Sequence, residues 1–566
     1  MFLINWEIMK LRLILICISF VIAVENVFPS IRYVDTAGNG DGNSWSEACS
    51  DLQLMIDQSQ PGDEIWIAKG VYKPSRLIKD NKPSSKAFII KDGVSLYGGF
   101  AGNENSPNER INNGLRPYDF SNETVLDGDD DVPDEWIRQI APGTTYRWEW
   151  ILEANEVKGT KGNASHILYC ESEFIHPTVI DGLTIKGANA NVYQAKAAGG
   201  GIYALGNVTV QNCRLIENSA YYSPENIYDS NTYGGAVHLN GGSMTGCLVS
   251  RSYCHSGYGN AYGGAVYAIN GKIENCDFED CVSLDGGGAV YLEGGELNNC
   301  TFLRCYGSSG GALYNDGGRV ENITVYDCRG LVGGGVNNDG TLLNALIANC
   351  YADAEDFGET MGGRGGGLCQ RGGDAVNCAV FNCTAFNGGG VCLEGGRLIN
   401  STVINNTVRS RTSAANFFGN AAMVFNSIID DSTETANFVS VPEFKGFTTD
   451  EEPVEAIKKS DLSLMESSGF IDTGEAISPY DQGVDLAGNP RISGSVIDRG
   501  AYEWQKETTE VDRVVDMNDA YNSVTISTDY YNASGLRQNF PHMGFNIMVI
   551  RFSDGSVITK KIYNNK

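Results

Sequence analysis

The sequence predicts a right-handed parallel β-helix, an all-β solenoid with three short strands per coil, an N-terminal helix cap and a small C-terminal β-domain. Three observations lead there. Segments opening GGGIYALGNVTVQNC at Gly199, GGAVYAINGKIENC at Gly263, GGAVYLEGGELNNC at Gly287, GGALYNDGGRVENI at Gly310 and GGGVCLEGGRLINS at Gly388 follow one template, with divergent copies at Gly234, Gly333 and Gly365. Where nothing is inserted they recur about every 23 residues, the length of one solenoid coil. An equivalent position carries asparagine in most coils (Asn212, Asn275, Asn299, Asn322, Asn344, Asn377 and Asn400), which reads as an internal amide ladder at a corner. Finally, 14 of the 16 cysteines lie from Cys170 to Cys392, and ten of them form two columns, Cys213/247/276/300/378 and Cys281/305/328/350/383.

Runs such as Ala289–Tyr291, Glu296–Leu297 and Thr301–Phe302 are too short to persist alone, so they need stacking on neighbours that also satisfies their backbone groups. The glycine pairs suit corners that require positive φ or close backbone approach. Neighbouring coils sit about 4.8 Å apart, inside the Cα range of a disulfide, so the columns read either as bridges or as stacked apolar thiols. Neither a Cys-x2-Cys spacing nor a histidine pair at metal spacing is present, so the sequence reading rejects a zinc site.

Lys10 and Arg12 stand at the head of the apolar stretch Leu11–Val24, which has the length of a signal-peptide core. Residues 1–23 read as that signal, 31–130 as an N-terminal cap and first coils, 131–165 as a Trp-rich insertion and 166–440 as the repeats. Residues 441–505 read as C-terminal coils and a closing element, 506–518 as a linker and 519–566 as a small β sorting or anchoring domain. Alternation in Ile31–Val34 and Ile65–Ile67 predicts strands, and Ser46–Ile56 a short amphipathic helix that plugs the solenoid. Strand-like Asn546–Phe552 and Val557–Tyr563 around Ser553-Asp554-Gly555 predict a hairpin.

The opening Ile31–Ser75, VSLYGGFAGNENS from Val94, ETVLDGD from Glu123, TVIDGLTIKGANAN from Thr178 and the Gly-Gly/Asn-Cys repeats resemble pectin-lyase-like β-helix surface proteins of the Bacteroidota. The repeats also resemble those of chlamydial polymorphic outer-membrane proteins. The segment Phe470–Trp504 is similar to the closing element of choice-of-anchor Q surface proteins, with Arg499 at its usual apolar position. The last stretch, from Ser534, resembles the β-domain of type IX secretion sorting sequences, departing from it at Phe545 and Met548. These resemblances imply export, display on the outer cell surface and envelope attachment through the C-terminal region, and no particular reaction.

The formal charge of −29, from 70 acidic and 41 basic residues, repels polyanions and excludes nucleic acid as a partner. Candidate ligand contacts are aromatic. Insertions before the Gly-Gly corner carry Tyr221, Tyr222, Tyr228, Tyr233, Tyr253, Tyr258 and Tyr262, whose flat faces and polar tips suit sugar rings. A third insertion, Tyr351–Gly362, is acidic. Trp136, Trp148 and Trp150 form a second candidate platform, or else a satellite cluster on the solenoid side. Asp127, Asp129, Asp130 and Asp131 are the candidate ligands for Ca²⁺, the one metal these acids suggest; no other cofactor is implied.

No acid-base constellation stands out, and Arg304, Arg319, Arg364, Arg371 and Arg397 do not share one column. The first reading is therefore a monomeric, non-catalytic adhesin or glycan-binding solenoid facing an extracellular glycan or a host or neighbour surface. A polysaccharide lyase or glycoside hydrolase is the alternative, and a passive surface stalk the second alternative.

Overall fold

The computed structural model describes residues 29–505 except 79–81, 115, 136–156, 192–196, 223–230, 258, 353–362, 411–413, 431–437, 441–460 and 482. Beyond them it describes the backbone of strands at 525–532, 537–538, 544–552 and 557–564. Trp136, Trp148, Trp150, Tyr228 and Tyr258 lie outside the described residues, as do the expected signal and the whole of the expected linker. The chain divides into two compact units, 1–505 and 506–566.

Unit one is a right-handed parallel β-helix. In the coil that starts at Gly287, strands run at Val290–Glu293, Glu296–Asn298 and Thr301–Leu303, and each pairs in parallel and in register with its counterparts one coil before and after. A fourth short strand, Tyr306–Ser309, belongs to a further parallel ladder running from Ser219 to Val408. The four corners turn at left-handed residues: Gly294 and Gly295, Asn299, Arg304 and Gly310, with φ between +51° and +74°. Their equivalents recur along the stack, so one local solution is reused in every coil.

Strand alternation sends Val290, Leu292, Leu297 and Phe302 inward, where they join one continuous core from Val34 to Val403. The Asn-linked cysteines and their second-column counterparts lie in this core as stacked free thiols; all fifteen described cysteines are buried and unbridged. The N-terminal plug is shorter than the expected single helix. Trp45–Glu47 forms one 3₁₀ turn, the chain then extends so that Cys49 can bridge Val34, and Leu52–Gln58 forms the helix, capped by Asp51. Leu52, Met55 and Ile56 from its inner face close the core.

The asparagine ladder exists but lies outside the core, a correction to the expected internal position. Asn299 Nδ2 donates to Asn275 Oδ1 at 2.5 Å and Asn344 to Asn322 at 3.0 Å, with Asn275, Asn299 and Asn322 exposed. A left-handed corner residue projects its side chain away from the coil interior, so the amides stack on the surface. Toward the C-terminal end the ladder is covered, because the closing element lies on it. Asn377 donates to Val484 O at 3.1 Å, Asn400 to Tyr480 O at 3.4 Å and Asn426 to Glu475 O at 2.5 Å. The same element places Leu462, Leu464 and Ala501 against the outward Leu303, Tyr326, Phe381 and Ile404 of the third ladder.

Unit two is a four-stranded antiparallel sheet in which Gly544–Phe552 pairs with Thr525–Asn532 on one side and Val557–Asn564 on the other, the second pair being the expected hairpin. Among the described residues no helix is long and apolar enough to cross a membrane.

Candidate functional site

The first ladder presents one outward residue beside its leading apolar one, and over six coils that residue is aromatic: Tyr169, Tyr203, His238, Tyr267, Tyr291 and Tyr314. Register alone brings the rings together. Successive centroids lie 5.3, 4.9, 5.6, 5.5 and 4.7 Å apart, and most neighbouring planes are within about 20° of parallel. Rings in van der Waals contact need only about 3.5–4 Å between planes, so at this spacing they form a slipped stack that leans along the axis. Tyr169, Tyr203, Tyr291 and Tyr314 are half-buried and keep part of each ring accessible, whereas His238 and Tyr267 are buried at 3% and 7% exposure and back the strip from within. Tyr233 and Tyr262 flank the stack, 4.8 Å from Tyr267 and 4.9 Å from Tyr291 respectively, and 5.7 Å from each other.

Two residues beyond Tyr291 and Tyr314, on the same face of their strands, stand the carboxylates of Glu293 and Asp316. Tyr267 donates its hydroxyl to Glu293 in the next coil, and Tyr291 donates to Asp316 Oδ2 at 3.0 Å. At the end of the row Arg371 Nη1 donates to the Tyr314 hydroxyl at 2.9 Å. Burial pushes the Tyr203, Tyr267, Tyr291 and Tyr314 phenols above the usual tyrosine range, so they remain protonated donors at neutral pH. The stack stops where Asn337 replaces the ring, its Nδ2 turned to Ser309 Oγ at 2.6 Å.

The sequence-predicted tyrosines separate into groups. Tyr233 and Tyr262 join this strip. Tyr221 lies on the fourth ladder and stacks on His255 at 5.4 Å, while for Tyr222 only the strand backbone is described. Tyr253 is fully buried with Val157, Val282 and Tyr306, and so is a wall residue rather than an exposed contact. Part of each expected loop is thus strand: Ser219–Tyr222 pairs with Tyr253–Ser256, and Thr232–Tyr233 with Ala261–Tyr262. Tyr203, Tyr267, Tyr291 and Tyr314 escaped the sequence reading because they sit inside the repeat itself; the aromatic residue directly after the apolar one was the available signal.

The four aspartates are engaged locally. Asp127 Oδ1 accepts from Asp129 N at 3.1 Å, Asp129 Oδ1 from Asp131 N at 2.8 Å and Asp130 Oδ1 from Val132 N at 3.0 Å, a chain of side-chain-capped turns. Lys73 Nζ meets Asp131 at 2.6 Å, and Lys186 Nζ lies 3.5 Å from Asp127.

A separate charged row occupies the third corner, whose left-handed residues include Glu217, Arg251, Asp280, Arg304 and Asp327. Arg251 pairs with Glu217 at 2.8 Å and Arg304 with Asp280 at 2.7 Å; Glu279 lies 4.0 Å from Arg304. Burial, with Asp280 nearby, pushes the Asp327 carboxyl up to about 7, and burial also raises Glu279.

No family model matches the sequence, and no curated protein matches it. Among solved structures the chain is similar to the pectate lyase Pel9A, with 13% identity and a TM-score of 0.33 over 85% of this chain and 97% of that one. It is similar to XylC, solved in complex with xylose, at 10% identity and 0.33 over 69% and 71%. It is also similar to a rhamnogalacturonan lyase at 13% identity and 0.30 over 73% and 91%. At such identities the likeness is one of fold.

Proposed function

We propose that this chain is a surface-displayed, non-catalytic solenoid that binds an extracellular glycan along the aromatic strip of its first ladder. The observation that carries the reading is the in-register row from Tyr169 to Tyr314, edged by Tyr233, Tyr262, Glu293 and Asp316. Leaning rings offer apolar strips to the C–H faces of sugars, and the phenols and carboxylates beside them offer donors and acceptors to sugar hydroxyls. Export and attachment through the C-terminal unit belong to the same proposal and rest on the signal-like N-terminus and the sorting-like last strands.

The test is a glycan-array screen of the mature chain, with and without Ca²⁺, repeated with Tyr291→Ala and Tyr314→Ala and followed by product analysis on each hit. Binding without turnover that falls at least tenfold in both variants is expected. Cleavage of a bound chain would replace this reading with a lyase or hydrolase, which one observation favours: Glu279 and Asp327 carry raised carboxyls on either side of Arg304. An empty array would leave a stalk.

A further inference from the structure

Beyond Tyr314 the outward position of the first ladder reads Asn337, Cys369 and Cys392 in successive coils, each in register with the next. Strand alternation puts the residue two further on upon the same face, so Cys369-x-Arg371 lies beside Cys392-x-Glu394. This pair differs from the stacked core thiols: it points outward, yet both sulfurs are buried, with 0% and 1% of each residue exposed. The two thiols and the Glu394 carboxylate bring their ligand atoms within 4.8 Å of one another. In a tetrahedral zinc site with metal–sulfur bonds of about 2.3 Å and metal–oxygen bonds of about 2.0–2.2 Å, neighbouring ligand atoms lie roughly 3.5–3.8 Å apart. Rotamer adjustment closes that difference.

Two further observations point to a ligand here. Asn337 Oδ1, one strand from Cys369, is buried and has no hydrogen-bond partner among the described residues, an acceptor suited to a water held by a bound ion. Glu394 is also oriented: Arg364 Nε holds Oε1 at 2.9 Å, while Oε2 lies 3.8 Å from Arg371 Nε. A carboxylate has about four lone-pair sites, so this clamp leaves Glu394 able to coordinate, as outer partners do for metal ligands generally. The arginines also offset the charge of two thiolates and a carboxylate.

We infer that Cys369, Cys392 and Glu394 form a binding site for one thiophilic divalent cation of the zinc class. Binding releases the two thiol protons to solvent, so affinity rises with pH. The residues stand one coil apart in a stack, which is why no local spacing motif reveals them. The site is independent of the glycan reading.

The experiment is titration of the reduced, full-length chain with Co²⁺, read by the thiolate-to-cobalt charge-transfer band, then displacement by Zn²⁺. One equivalent is expected, with the band lost in Cys369→Ser/Cys392→Ser, retained in Cys300→Ala, and affinity about tenfold weaker in Glu394→Gln. Glu394 is exposed, so that last variant folds and keeps the test open if the cysteine variant does not. A folded wild type without the band, a band that survives the double substitution, unchanged affinity in Glu394→Gln, or a mass showing Cys369 and Cys392 joined as a disulfide each overturns the site.

Discussion

Arg304 donates from Nε and Nη2 to the two carboxylate oxygens of Asp280, at 2.7 and 3.0 Å, across one step of the solenoid. Both are corner residues with left-handed backbone, so the stack itself fixes the pair. The side chains are 24% and 12% exposed, which keeps the paired charges partly out of solvent.

Replacing Arg304 with alanine leaves Asp280, Glu279 and Asp327 facing one another. The expected loss is about 1.5–3 kcal/mol, the scale of hydrogen bonds to charged groups. Arg304→Lys recovers only part, because an ammonium cannot make the two-pronged contact. Urea unfolding of the three proteins checks this, and equal midpoints would remove the pair from any stabilising role.

Asp327 introduces a pH dependence of definite sign. Its folded carboxyl titrates near 7, above the ordinary value of 3.8. Between those values the unfolded chain ionises while the folded one holds its proton, so this group's contribution falls as pH rises through the window and stays lost above 7. The penalty is at most about 4 kcal/mol. Asp327→Asn should therefore gain stability over the wild type at pH 8 and show no such gain at pH 4, measured by chemical denaturation at both.

His166 works in the opposite direction. It is fully buried, burial lowers it to about 4, and its Nδ1–H donates to the Gly199 carbonyl at 2.9 Å. The neutral ring is the folded form, so its contribution is present above pH 6.5 and is lost as pH falls through about 4, at most about 3 kcal/mol. His166→Asn should lose less stability than the wild type between pH 7 and pH 4.5. The imidazole shifts followed by NMR give the same titration directly.

Much of this architecture is written in the chain because a solenoid repeats its local rules. The apolar pairs, the glycine corners and the asparagine positions all recur with one period, and strands appeared where Val290, Leu297 and Phe302 called for them. The fourth ladder was not legible, since Tyr306–Ser309 and its two-residue counterpart Arg329–Gly330 share only a glycine and form only by stacking. The aromatic strip was hidden for a related reason: Tyr267 and Tyr291 are 24 positions apart and meet only through register. Exposure of the asparagine corner depends on the left-handed turn, which a residue column cannot reveal.

Corner glycines should tolerate no side chain where coils touch. A Cβ on Gly288 would lie 2.0 Å from the Gly311 carbonyl oxygen, backbone that cannot give way without opening the stack. Gly288→Ala is expected to cost several kcal/mol, beyond the range of common substitutions. Asn322, at φ +56°, makes a contrast: Asn322→Ala should cost about 1–2 kcal/mol from the left-handed backbone and the lost amide bonds to Asn298 and Asn344. Asn322→Gly should recover most of the backbone share. Thermal melts of the three variants give the order.

The closing element protects an apolar surface. Leu462 and Leu464 belong to the buried cluster that includes Tyr326, Phe381 and Ile404, outward residues of the third ladder. Replacing both leucines with alanine should cost about 2–5 kcal/mol for each site and increase binding of a hydrophobic dye. Unchanged stability and dye binding would mean the element is not needed as a cover.

The buried thiol columns have a practical consequence. Cys281, Cys305, Cys328, Cys350 and Cys383 belong to different turns of the stack, and each is sealed until its own turn opens. A brief pulse of alkylating reagent under partial denaturation, followed by peptide mapping, therefore writes a position-by-position record of which turns had come undone. Unravelling from one end would leave a graded pattern of labels, and collapse as a unit a uniform one, so the chain carries its own gauge of how it comes apart.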